Sequence, residues 1–152
     1  MRIAIGADHA GYKLKEKIKL LLIKEEINYQ DLGAYNENHA DDYPDWGMKV
    51  AEAVAQGKYA RGILICGTGI GMCLAANKVP GIRATPCYSL TTARLSREHN
   101  DSNILVLGSR IISVQLAKMI VKEWLKTKFK GGRHQRRLEK IRKIEEKYFQ
   151  RR

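Results

Sequence analysis

Residues 62–71 read Gly-Ile-Leu-Ile-Cys-Gly-Thr-Gly-Ile-Gly, a short apolar run that breaks into a glycine-rich turn. The run from Gly62 to Cys66 is typical of a buried strand, because it is continuous, short and rich in branched aliphatic residues. A helical pattern over residues 72–78 follows the turn. The stretch therefore predicts a strand, a turn and a helix, with several backbone N–H groups directed at one small anion beside Cys66.

Short apolar runs on both sides of this stretch alternate with helical patterns. The predicted strands are residues 2–7, 27–32, 62–66, 82–87 and 103–107, and the predicted helices are 11–25, 44–56, 72–78, 91–98, 113–126 and 132–149. This alternation predicts an α/β fold, in which a five-stranded parallel sheet carries helices on both faces. Ligands bind such sheets beyond the carboxyl ends of the strands, so we expect the chemistry at residues 8–9, 66–71 and 108–110.

The composition indicates a cytoplasmic protein that folds as a single domain over residues 1–152. A chain of 152 residues buries enough surface to fold without disulfides or a structural metal. No stretch reaches the length of a membrane span, and the N-terminus runs directly into a strand pattern instead of a signal peptide. The cysteines Cys66, Cys73 and Cys87 lack zinc-ligand spacing, so we expect free thiols and no metal.

The net charge of +12 is concentrated at the C-terminus, where residues 126–152 hold twelve lysines and arginines against three glutamates. Such a tail is compatible with nucleic-acid binding, but we favour a solvated helix with anion-binding positions because no nucleic-acid motif is present. Arg133 and Arg137 lie four residues apart and so project from one helix face, where two guanidinium groups can clamp a phosphate. A basic helix face is also commonly just solvated.

The glycine-rich turn first suggests a nucleotide-binding fingerprint or a phosphatase loop. Met72 counts against both, since it occupies the position of the third glycine in one pattern and of the arginine in the other. The lysine of a P-loop is also missing. A turn that directs N–H groups at a small anion remains, and such an environment favours the thiolate form of a cysteine. Cys66 is thus a candidate base, with a buried inert thiol as the alternative.

The remaining cysteines and the polar residues near strand and helix ends keep two interpretations each. We interpret Cys73 and Cys87 as core thiols. Asp8, which precedes His9, is either a helix N-cap or a substrate contact. His99 is able to transfer protons near neutral pH, while the adjacent Asn100 is a candidate C-cap.

In order along the chain, these motifs resemble the type B ribose-5-phosphate isomerase family, which includes galactose-6-phosphate and allose-6-phosphate isomerases. The matching segments are residues 6–11, 42–45, 62–71, 75–78, 81–84, 95–101, 107–110 and 131–137. Thr85-Pro86 departs from the small apolar residues usual in the family, and the basic extension after Arg137 is longer than catalysis requires.

The resemblance implies interconversion of ribose 5-phosphate and ribulose 5-phosphate in the pentose phosphate pathway, through an enediolate and without cofactor or metal. It implies that Cys66 moves the proton between C1 and C2, and that His99 opens the furanose ring. The implied cradle for the enediolate oxygens is Gly67, Thr68, Gly69, Ile70 and Gly71, with the Thr68 hydroxyl assisting. The implied contacts to sugar and phosphate are Asp8, His9, Arg110, Arg133 and Arg137.

The resemblance also implies a three-layer α/β/α sandwich with a Rossmann-like sheet and a C-terminal helix. It further implies dimers, in some members paired into tetramers, whose active sites are built from two chains, with Asn100 reaching the neighbouring site. Two alternatives stay open: a hexose-6-phosphate isomerase, in which the phosphate clamp stands farther from Cys66, and a basic nucleic-acid-binding module.

Overall fold

A computed structural model describes residues 1–149 and contains five strands and six helices. The strands are β1 (Arg2–Ala7), β2 (Asn28–Asp31), β3 (Arg61–Cys66), β4 (Ala84–Pro86) and β5 (Ile104–Gly108). The helices are α1 (Tyr12–Lys24), α2 (Tyr43–Ala55), α3 (Ile70–Ala76), α4 (Leu90–Asn100), α5 (Val114–Lys126) and α6 (Arg133–Tyr148). None of the helices in this part of the chain is long and apolar enough to cross a membrane.

The strands form one parallel sheet in the order β2-β1-β3-β5-β4. Buried side chains on one face of the sheet pack with α1, α4 and α5, and those on the other face pack with α2 and α3. The residues of β3 show why the sheet has a core on each face. Ile63 and Ile65 belong to the first core and Leu64 to the second, because successive strand side chains point to opposite faces. The predicted five-stranded parallel sandwich with a C-terminal helix is confirmed.

Several element boundaries differ from the prediction by one or two residues, among them those of α3 and β4. The helix after the glycine-rich turn begins at Ile70, two residues before Met72. The predicted strand 82–87 shrinks to Ala84–Pro86, because the N–H of Ile82 bonds to the Val79 carbonyl in a turn. The side chain of Asn77 then closes this turn, accepting from the N–H of Ala84 and donating to its carbonyl oxygen.

The register of β3 and β5 defines the two ends of the sheet. Cys66 pairs with Gly108 at the carboxyl end, and Gly62 pairs with Ile104 at the amino end. The C-terminus of α4 leads into β5 and therefore lies at the amino end. Residues that follow β3 and residues that end α4 are thus at opposite edges of the sheet.

Candidate active site

A pocket of about 210 Å³ opens beyond the carboxyl ends of β1 and β3, where the sequence predicted it. Its lining residues are Asp8, His9, Ala10, Tyr43, Cys66, Gly67, Thr68, Gly71 and Arg110. Most of these are predicted site residues that follow three different strands. The topology brings them together because parallel strands end at one edge of the sheet.

The sulfur of Cys66 is buried and accepts a hydrogen bond from the backbone N–H of Gly69 at 3.2 Å. Gly69 has a φ of 84°, a left-handed conformation that glycine adopts without a Cβ penalty. Because of this turn, the loop folds back over the sulfur. The Thr68 side chain accepts from the N–H of Ile70 at 3.2 Å, which leaves its hydroxyl proton free for another acceptor.

Backbone contacts from the end of β5 fix the glycine-rich loop. The N–H groups of Ser109 and Arg110 donate to the carbonyls of Cys66 and Gly67, both at 2.8 Å. A Cβ on Gly67 would lie 3.0 Å from the Arg110 guanidinium, so the absence of a side chain there lets the cation lie against the loop. Across residues 1–149, the N–H groups of Gly67 and Thr68 have no hydrogen-bond acceptor. They are available to a ligand oxygen.

Asp8 supports the turn between β1 and α1. Its Oδ1 accepts from the N–H of Gly11 at 2.9 Å, and Gly11 itself is the N-cap of α1, so the N-cap interpretation of Asp8 is wrong. Burial raises the pKa of Asp8, while the Gly11 hydrogen bond and the nearby His9 partly oppose the rise. A buried carboxyl with a raised pKa is suited to hydrogen bonding a sugar hydroxyl as well as to holding the turn.

Two residues of this site carried no predicted role. Tyr43, at the start of α2, lies so close to Gly71 that a Cβ there would come within 2.5 Å of the phenol ring. Asp41, in the segment between β2 and α2, accepts from His9 Nδ1 at 2.7 Å. Tyr43 belongs to a motif of the family resemblance, which could have indicated it. Nothing in the local sequence singles out Asp41, because its partner is 32 residues away.

One group of side chains among residues 1–149 could hold a metal ion. Its members are Asp8, His9 and Asp41, whose ligand atoms lie within 4.8 Å of one another. His9 and Asp41 already bind each other in this arrangement. Asp8 is held separately, since its Oδ1 accepts from the Gly11 N–H.

A second group of predicted residues lies where the end of α4 meets the start of α6. The rings of His99 and His134 stack with centroids 4.1 Å apart and an interplanar angle of 12°. His134 is buried, and burial lowers its pKa, as do His99 and the positive charges of Arg133 and Arg137. Sequence reasoning missed His134, although it lies between two predicted phosphate contacts.

The α4–α6 junction is held by contacts around the predicted residue Asn100. Asp101, with φ at 46°, is the C-cap of α4, so the interpretation of Asn100 as a C-cap is wrong. Asp101 accepts from Arg97 at 2.8 Å and from Arg83 at 3.1 Å. Asn100 is the last residue of the helix and is exposed, which leaves its amide available to a ligand.

The chain does not bring the two groups of predicted residues together. Cys66 ends β3 at the carboxyl end of the sheet, whereas His99 and Asn100 precede β5 at the amino end. Five residues of parallel strand separate these edges, which corresponds to roughly 16 Å at about 3.3 Å per residue. None of His99, Asn100, Arg133 and Arg137 lines the Cys66 pocket, whose lining lies entirely within the part of the chain that the structure describes.

Comparisons with known proteins agree with this fold. A family model described as Ribose/Galactose Isomerase matches residues 3–141. Ribose-5-phosphate isomerase B of Escherichia coli is 47% identical, over 96% of this chain and 97% of the relative. A structure of Clostridium thermocellum ribose-5-phosphate isomerase B has a TM-score of 0.95 at 54% identity, over 97% of this chain and 99% of the other.

A structure of the Mycoplasma genitalium ribose-5-phosphate isomerase B contains bound ribulose-5-phosphate. It has a TM-score of 0.92 at 44% identity, over 95% of this chain and 96% of the other. The family model matches most of the chain. The Escherichia coli and Clostridium thermocellum proteins are well above 40% identical to it over nearly the whole length. The chain belongs to the ribose/galactose isomerase family.

Proposed function

We propose that this protein interconverts D-ribose 5-phosphate and D-ribulose 5-phosphate, with Cys66 as the base. The observation that carries the proposal is a cysteine sulfur that accepts a backbone N–H, in a pocket lined by Arg110, His9 and unpaired loop N–H groups. The relatives named ribose-5-phosphate isomerase B and the ribulose-5-phosphate bound to one of them support the choice of substrate. Because all three cysteines are free, we place the enzyme in the reducing cytoplasm.

In the proposed reaction, the Cys66 thiolate removes the C2 proton of the open-chain aldose and returns it to C1 of the enediolate, while the hydroxyl proton of O2 moves to O1. Negative charge develops on the substrate oxygens during this transfer. The N–H groups of Gly67 and Thr68 and the free Thr68 hydroxyl are placed to donate to those oxygens. Each fixed donor of this kind typically lowers a barrier by about 3 kcal/mol. Asp8 and His9 bind the sugar, and Arg110 supplies positive charge.

We further propose that the active protein is a homodimer, which pairs into a tetramer or remains a dimer. His99 and Asn100 then act in the pocket of the neighbouring copy, together with Arg133 and Arg137. The roughly 16 Å between the sheet edges supports this arrangement, because no rotamer of His99 spans that distance within one chain. In this role His99 donates the proton that opens the furanose ring, and the two arginines bind the phosphate.

The alternative substrate class is a hexose 6-phosphate, and the family description itself includes galactose. Turnover of ribose 5-phosphate, allose 6-phosphate and galactose 6-phosphate, measured side by side, decides between them. We expect the pentose to have the highest kcat/KM. A clear preference for either hexose would contradict the pentose assignment.

The central experiment removes the Cys66 thiol in the presence of a chelator. We expect Cys66→Ala to lower the isomerisation of ribose 5-phosphate by about a thousandfold or more, since it removes the group proposed to move the proton. The matched control is Cys73→Ala, which removes a half-buried thiol from α3 that binds only the Ala84 carbonyl and Asn77. Full activity in Cys66→Ala would overturn the base assignment, and activity lost only with the chelator would show that a metal is needed.

A further inference from the structure

The carboxylate of Asp41 accepts hydrogen bonds from two residues, His9 and Trp46, which the sequence analysis did not connect. Its Oδ1 accepts from the backbone N–H of His9 at 2.8 Å and from His9 Nδ1 at 2.7 Å. Its Oδ2 accepts from the indole Nε1 of Trp46 at 2.7 Å. One carboxylate thus connects the turn after β1 to helix α2 and uses both oxygens to do so.

The short contact determines which ring nitrogen of His9 carries a proton. A carboxylate oxygen only accepts, so Nδ1 must be the donor at 2.7 Å. The backbone N–H of Asp41 also points at Nδ1, but from 3.3 Å, and this longer contact is the weaker competitor. Nε2 is therefore the nitrogen left for a ligand. It has no protein partner within residues 1–149, and His9 lines the Cys66 pocket.

Trp46, which holds Asp41 from the other side, is itself fixed. Its ring covers Gly33 closely enough to leave no room for a Cβ there. Tyr35 packs edge-on at 6.1 Å between ring centroids, and the Lys49 ammonium lies 4.2 Å above the ring. Burial alone would raise the pKa of Asp41, but the hydrogen bonds from His9 and Trp46 outweigh it, so the net pKa is lowered. The group is a carboxylate at neutral pH.

We propose that Asp41 is a positioning residue for the sugar phosphate: it holds the His9 imidazole with Nδ1 protonated and the bare Nε2 toward the pocket, where Nε2 accepts from a sugar hydroxyl. This inference rests on the function proposed for the pocket. A carboxylate that accepts from Nδ1 fixes the tautomer and orientation of an imidazole in many catalytic sites, and here it does so for a binding contact.

A double-mutant cycle with ribose 5-phosphate tests whether Asp41 acts through His9. We expect Asp41→Ala to raise KM about tenfold with a smaller change in kcat, since a hydrogen bond to a charged group contributes roughly that factor. In a His9→Gln background the same substitution should change KM by less than twofold. An equal loss in both backgrounds would mean that Asp41 acts independently of His9 and would overturn the proposal.

A ¹⁵N spectrum of the His9 ring provides a readout that does not depend on turnover. We expect a protonated Nδ1 in the wild-type protein at a pH where the ring is neutral, and a shift of the proton to Nε2 in Asp41→Ala. The control is Glu37→Gln, which removes a carboxylate from the same loop, where it pairs with the exposed Lys13. An unchanged His9 spectrum in Asp41→Ala would overturn the inference, whereas a wild-type protein inactive on ribose 5-phosphate would instead overturn the proposed function.

Discussion

At the scale of single residues, the contact between the Gly69 N–H and the Cys66 sulfur depends on a backbone conformation. The φ of 84° at Gly69 turns its N–H toward the sulfur. Any Cβ at this position would lie 3.3–3.4 Å from backbone atoms of Leu107 and Gly108. The glycine is thus required by both its conformation and its surroundings, and the sulfur loses its donor if the turn changes.

Replacement of Gly69 by alanine should therefore reduce activity as well as stability. We expect Gly69→Ala to lose about 1 kcal/mol of unfolding free energy, the usual cost of a left-handed non-glycine residue. We expect a further loss of about tenfold in kcat/KM as the donor moves away from the sulfur. Urea unfolding and ribose 5-phosphate isomerisation measure the two effects.

Gly57 provides the matched control, because its φ is 73° and no atom would lie within 4 Å of an added Cβ. Gly57→Ala should lose about the same stability and keep full activity. If both variants lost activity to the same extent, the loss in Gly69→Ala would be explained by reduced stability alone.

The sequence predicts which residues line the pocket where a strand end determines their position. Cys66, Asp8 and Arg110 follow strands, and the topology of a parallel sheet brings them together. Asp41 and His134 were not predicted, because their roles come from tertiary partners, His9 and His99, that lie 32 and 35 positions away. Local patterns contain no information about such distant pairs.

At the scale of elements, a buried lysine joins α1 to the end of β2. Lys15 is fully buried, and its ammonium donates to Asp31 at 2.8 Å and to the carbonyl of Ala34. Lys19, one turn later, donates to the other oxygen of Asp31 at 2.9 Å. Burial lowers the pKa of Lys15 despite its partner. Burial alone would raise the pKa of Asp31, but Lys15, Lys19 and the Gly33 N–H together lower it.

This network predicts loss of stability in acid. Since the pKa of Asp31 is lower in the folded state, its contribution is complete above the unfolded value near 3.8 and decreases as the pH falls through the folded value. We expect Asp31→Asn to lower the unfolding free energy by about 3 kcal/mol at pH 7, because Lys15 is left buried without a counterion. The difference in unfolding free energy between Asp31→Asn and wild type should become smaller below pH 4.

Urea unfolding between pH 3 and pH 7 measures this dependence. Glu25→Gln is the control, because it removes the carboxylate of an exposed pair with Lys122 and should change stability by less than about 1 kcal/mol. A difference between Asp31→Asn and wild type that stayed constant across the pH range would contradict the assignment.

Helices and strands were predicted nearly everywhere, because apolar spacing determines which face each element buries. The exception was the segment around Ile82, where an apolar residue suggested a strand. The side chain of Asn77 closes a turn there through two hydrogen bonds to Ala84, and such pairings are not encoded in hydrophobic spacing.

At the scale of the whole molecule, the predicted catalytic groups occupy opposite edges of one sheet. Cys66 lies at the carboxyl end and His99 near the amino end. The stacked His99–His134 pair joins α4 to α6, so Arg133 and Arg137 belong to the same edge as His99. These two groups, called half-sites below, thus lie at opposite edges of the sheet.

If two copies combine these half-sites, two inactive variants should restore activity when mixed. We expect Cys66→Ala and His99→Gln each to be nearly inactive on ribose 5-phosphate. After subunit exchange, half of the dimers are mixed and one of their two sites is intact, so about one quarter of wild-type activity should return. Two copies of Cys66→Ala treated in the same way are the control. No recovery after proven exchange would place both residues in one chain's site.

The separation of the two half-sites also makes turnover depend on how much protein is present. In the proposed arrangement, a single chain holds a proton-transfer group without a phosphate clamp, and a clamp without a proton-transfer group. Below the dissociation constant of the dimer, the rate should therefore rise with the square of the protein concentration and not in proportion to it. In this arrangement, dilution alone is enough to switch the enzyme off.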